Sequence, residues 1–176
     1  MKTYTHTPAD VRAVSFWSPE LLRDYRLKGY LEPYGEKGAN GHWLYSGRDL
    51  VAFWVAEILH GRGKQLDLPV KGERPMDLKR LFEHSWIIAE FVAKHIAGRD
   101  APVFWGHGDV RNEKGMSPHG ETLSLNRPIR FKANTYEQIE SLDLYAMDVV
   151  NTKALASFAS SAVCKIVSGM NFEPEA

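Results

Sequence analysis

Three cations stand close together early in the chain, Arg23, Arg26 and Lys28, with Ser18 just upstream. Arg23 and Arg26 are three residues apart, so a helix would put them on one face. A second group follows at Lys37, Asn40, His42 and Arg48. Cationic side chains on a helix, with polar groups on a neighbouring hairpin, suit the oxygens of a nucleic-acid backbone. That chemistry is binding, not bond-making. A different set, His107, Asp109, His119 and Glu121, lies in a stretch rich in Gly, His, Asn and Pro. Imidazoles and carboxylates can hold metals or carry protons, but no ligand spacing, nucleophile elbow, phosphate loop or paired-carboxylate motif accompanies them. The sequence therefore predicts no catalytic residue, no metal site and no cofactor.

The elements that must position the first set read clearly. Thr7-Pro8 followed by Ala9 to Val14 predicts a short helix with a Thr cap and Pro at its first position. Ser18-Pro19-Glu20-Leu21 opens a second helix, with Leu21, Leu22, Tyr25 and Leu27 as its apolar side and Gly29 as its stop. Two extended pieces, at 30–34 and 42–45, flank a Gly/Asn-rich tip at 35–41, which is a hairpin signal. Ser46-Gly47-Arg48-Asp49 begins a third helix that runs through Leu50 to Leu59 and ends near Gly61-Arg62-Gly63. Trp17, Tyr34, Trp43, Tyr45, Phe53 and Trp54 are the large apolar residues a small domain needs for its core.

The polar stretch from Lys64 to Pro75 predicts a domain boundary. Beyond it, 77–97 forms an amphipathic helix with Leu78, Leu81, Phe82, Ile88, Ala89, Val92 and Ile96 on one stripe. Short strands are expected at 103–105, 122–125 and 129–131, around a loop at 106–120, with helices at 135–147 and 151–168. Cys164, amid small residues in the last helix, is expected to be a buried hydrophobe.

The bulk numbers narrow the class further. The chain has 176 residues, 44% of them hydrophobic, with 22 basic and 22 acidic side chains. Overall neutrality makes the local clustering of cations the informative feature, since DNA binders usually carry a basic footprint. A single cysteine excludes an internal disulfide. No apolar run approaches the roughly 18 residues of a membrane span, and the N-terminus lacks the apolar core of a signal peptide. A cytoplasmic protein with no membrane partner is the expectation.

The stretch Ser18-Pro19-Glu20-Leu21-Leu22-Arg23-Asp24-Tyr25-Arg26-Leu27-Lys28-Gly29-Tyr30-Leu31 resembles the recognition-helix signature of the MerR family of transcription regulators. Gly41 to Ser46 stands where that family ends its wing, Asp49-Leu50 opens the next helix, and Gly61 to Leu66 sits at its Gly-x-x-Leu connection. The resemblance covers about residues 8–68. It implies a winged helix-turn-helix in which Arg23 and Tyr25 meet phosphates and Arg26 lies near the groove. It also implies a homodimer joined by a helix after the DNA-binding part, and a variable effector domain beyond. Two departures are plain: Trp43 replaces the wing's usual arginine, and Arg26 stands where an acidic residue is usual.

The sequence thus predicts an α+β protein in three parts: a winged helix-turn-helix at 1–72, a connecting or dimerisation helix at 73–98, and a small α+β effector or dimerisation domain at 99–176. The expected function is transcription regulation on double-stranded DNA, through Ser18, Arg23, Tyr25, Arg26, Lys28, Lys37, Asn40, His42 and Arg48. RNA polymerase or a small-molecule effector would be further partners. Two other readings stand beside it: a winged-helix protein-interaction module without DNA binding, and a small-molecule-binding or enzymatic domain in 99–176 fused to a DNA-binding module.

Overall fold

The computed structural model describes residues 3–62, 77–116, 122–140 and 144–172. The expected boundary stretch, along with His119 and Glu121, lies outside them. The chain is a mixed α+β protein with two small antiparallel sheets, ordered β1-β3-β2 and β5-β4-β6.

Strand β1 (Tyr4–His6), which the sequence did not signal, pairs with β3 (Trp43–Ser46). Between them come α1 (Pro8–Val14), α2 (Pro19–Leu27) and β2 (Glu36–Lys37). Each helix starts where its cap stands. Thr7 and Asp10 form a capping box, and Ser18 Oγ accepts from Leu21 N–H at 3.3 Å. Helix α2 ends in a full Schellman motif: Gly29 N–H reaches Arg26 O at 3.0 Å and Tyr30 N–H reaches Tyr25 O at 2.9 Å. Gly29 sits at φ 74°, where a side chain would be strained.

Residues 30–34 form turns instead of the expected strand, closed by Tyr34 N–H to Leu31 O at 3.1 Å. Burial decides it. Leu31 and Tyr34 are both inside the core, a geometry that an edge strand would not give them. The true first strand of the hairpin is the two-residue β2.

Helix α3 (Gly47–Glu57) is the central element; every residue from Asp49 to Glu57 is buried. A helix buried all round must be surrounded, and α1, α4 (Leu78–Ile96) and α7 (Ser161–Ser168) surround it. A π-helical turn at Ile58–Arg62 ends it. Val11, Trp17, Phe53, Phe82, Trp105 and Val167 all belong to one hydrophobic cluster, so helices from both ends of the chain share a core.

The second sheet comprises β4 (Phe104–Met116), β5 (Thr122–Ala133) and β6 (Leu144–Asn151). Here several expectations need correction. The stretch 106–116 continues β4 instead of forming a loop, and β5 is one strand, not two. Of the helix expected at 135–147, among the described residues α5 (Tyr136–Glu140) is helical, and 144–151 pairs antiparallel with β4. The helix expected at 151–168 is two, α6 (Thr152–Ser157) and α7, because Ser160 turns out to be a cap: its Oγ accepts from Val163 N–H at 3.4 Å. Cys164 is exposed on α7, not buried. Its neighbour Val163 takes the inward position.

Candidate nucleic-acid interface

The expected site residues divide into three places. Helix α2 is anchored by Leu22, and Tyr25 packs among Trp17, Tyr30 and Phe82 with ring centroids 5.9, 5.9 and 5.7 Å away. That anchoring turns Arg23 outward. Arg23 is exposed, and among the described residues it has no ion pair or hydrogen bond. Lys28 is also exposed but is paired with Asp24 at 2.7 Å, which raises its pKa above the usual lysine range.

The hairpin stands beside this helix. Its tip closes through Gly38 N–H to His42 O at 2.8 Å and Gly41 N–H to Gly38 O at 2.9 Å, with Gly41 at φ 80°. Asn40 Oδ1 accepts from His42 N–H at 3.1 Å, an Asx turn that fixes the tip's shape. Asn40, His42 and Lys37 are all exposed. Between α2 and the hairpin runs a groove of about 690 Å³, and Arg23, Asn40 and His42 all line it.

Arg26 does something other than expected. Its guanidinium lies 3.6 Å over the Trp43 ring and donates to Leu31 O at 3.1 Å and Tyr34 O at 2.8 Å. A planar group with several donors can stack and bind two carbonyls at once. Arg26 therefore joins α2, the following turns and β3, with two of its donors engaged within the protein. Arg26 and Trp43 are thus direct partners. Trp43, expected as core, is only half-buried and forms part of the groove wall.

Arg48 is likewise not at the hairpin face. Its Nε and Nη2 donate to Trp86 O at 3.3 and 3.1 Å, and its Nη1 pairs with Glu90 at 3.2 Å. Burial lowers its pKa, although Glu90 and Asp49 oppose the shift. Ser18 is spent on capping α2. The groove thus gathers Arg23, Arg26, Asn40 and His42, with Arg26 also tied into the scaffold; Lys28 and Lys37 are exposed outside its lining, and Arg48, Ser18 and Tyr25 serve the scaffold.

Sequence reasoning missed the residue that holds the scaffold together. Asp49 is 2% exposed. Its Oδ2 accepts from Ser46 N–H (2.9 Å), Ser46 Oγ (2.8 Å) and Gly35 N–H (3.2 Å), while Oδ1 accepts from Trp86 Nε1 (3.1 Å). One carboxylate thus ties the hairpin base, the start of α3 and α4. The Ser-x-x-Asp spacing signals the cap, but the two distant partners leave no local trace. Leu27, 83% exposed beside the groove, was also unforeseen as a surface residue.

Among the described residues, no group of three metal-ligating side chains converges, and no helix is long and apolar enough to cross a membrane. The side chains of His107 and Asp109 lie outside what the structure describes. No family model, curated protein or solved structure matches this chain.

Proposed function

We propose that the protein is a DNA-binding transcription regulator of the MerR-like, winged helix-turn-helix type. It would act as a homodimer on a two-fold symmetric duplex site, with α2 in the major groove and the hairpin against the backbone. The observation that carries this reading is the convergence of exposed Arg23 on α2 with Asn40 and His42 on the hairpin tip along one groove. The element order supports it: two capped helices joined by a tight connection, then a hairpin closing a β1-β3-β2 sheet. With Arg26 and Arg48 engaged internally, phosphate contact falls to Arg23, Lys37 and Lys28.

Binding to a random duplex pool across about 50 to 200 mM salt tests the proposal. Affinity should fall steeply with salt, and an Arg23→Ala/Lys37→Ala variant should flatten the log–log slope by about 2, roughly one per lost phosphate contact. Natively folded protein that binds no duplex at the low-salt end would overturn it.

A second reading, a protein-docking module, is favoured by one specific observation. The walls of the groove are largely apolar, from Pro8, Pro19, Leu22, Leu27, Trp43 and Leu44. Under that reading Leu27→Glu abolishes partner binding, and loss of Arg23 matters little.

A further inference from the structure

Leu27 stands apart from the rest of the surface. It is 83% exposed, whereas Phe16, Leu21 and Phe158, the other large apolar side chains exposed among the described residues, are each less than half exposed. The fold leaves it little packing to do. Helix α2 turns Leu22 inward instead. The apolar contact that accompanies the Schellman stop is made by Tyr25 and Tyr30, with ring centroids 5.9 Å apart. Leu27 follows Arg23 by four residues, so the two share one face of α2. Both line the groove beside the hairpin.

On a helix presented to duplex DNA, such a side chain has one kind of partner. The major-groove edges of guanine and adenine, the O4 of thymine and the N4 amine of cytosine are hydrogen-bonding groups; the apolar group displayed there is the C5 methyl of thymine. Arg23 on a phosphate would position α2 without reading sequence. An exposed leucine one turn further along the same face supplies a base contact.

We propose that Leu27 is a specificity-determining residue that meets the C5 methyl of one thymine in each half-site. The inference rests on the DNA-binding reading and adds to it the identity of a base.

The test uses the full chain and the tightest site selected from the random duplex pool. Deoxyuridine then replaces each thymine of that duplex in turn, which removes the methyl and keeps the base pair. One thymine per half-site should be sensitive, its replacement weakening wild type about fourfold, the worth of one buried methyl. Leu27→Ala, at an exposed position where alanine keeps the helix, should bind the thymine duplex about fourfold more weakly per half-site and be indifferent to replacement of that thymine. Binding that ignores every deoxyuridine, or a Leu27→Ala protein as sensitive as wild type, overturns the proposal and leaves the DNA-binding reading standing. Folded protein that binds no duplex overturns both.

Discussion

The two sheets are built on different principles. Strands β1 to β3 span two to four residues each and hold together through side chains: Asp49 at the hairpin's base and Arg26 at its flank. Strands β4 and β5 span 13 and 12 residues and pair along most of their length through backbone. Short strands cannot supply enough ladder bonds to fix a hairpin, so buried charge-assisted bonds take over. A single substitution should therefore loosen the first sheet, whereas the second should yield mainly where its packing is tightest.

The largest expected effect is at Asp49. Asp49→Ala leaves Gly35 N–H, Ser46 N–H and Trp86 Nε1 without their acceptor and should cost about 3–4 kcal/mol in chemical denaturation. A cost under about 1 kcal/mol would break the contrast between the sheets. In the second sheet, Gly106 pairs with Phe131, whose ring occupies the space a Cβ would take. Gly106→Ala should destabilise by about 1–3 kcal/mol, and Phe131→Leu in the same chain should restore much of that loss. Failure of the rescue would mean that backbone, not ring, sets the limit at Gly106.

The two arginines of α2 sharpen the comparison within one helix. Arg26→Ala should cost about 1–2 kcal/mol through two carbonyl bonds and the Trp43 stack. Arg23→Ala should stay within about 0.5 kcal/mol of wild type in thermal or chemical melts. Equal effects would show that α2 has no separate binding and scaffold faces.

The smallest effect concerns His95, half-buried at the end of α4 near Pro102 and Thr152. Burial lowers its pKa below the usual 6.5, with Lys153 adding to the shift. The unfolded chain then takes up the proton first, so stability is intact above 6.5 and declines as pH falls through the folded value. His95→Gln should flatten that part of the acid limb relative to wild type; an unchanged difference between the two proteins at all pH values would contradict it.

Legibility follows the same division. Caps, stops and the hairpin tip could be read because their signals are local: Ser18 before Pro19, Gly29 after Lys28, Asn40 before Gly41. The amphipathic stripe gave α4 almost to its ends. What failed was long-range. Residues 144–147 were expected to continue a helix, yet pairing with β4 makes them part of β6. Gly106, Gly108 and Gly115 made β4 look like a loop, although Gly106 is the place where Phe131 needs room. At the site, charge and spacing identified the cations but not which were free. Arg26 and Arg23 are equivalent on a helical wheel, and only Trp43 and the carbonyls of Leu31 and Tyr34 separate them.

Under the proposed function, the face shared by α2 and the hairpin tip meets duplex DNA. Backbone amide NMR of the labelled protein with a short duplex at low salt tests it most directly. Shifts should concentrate at Arg23, Lys37, Asn40 and His42 and fade as salt rises, while α7 stays silent. Shifts spread evenly over the surface, or concentrated on β4 to β6, would contradict it.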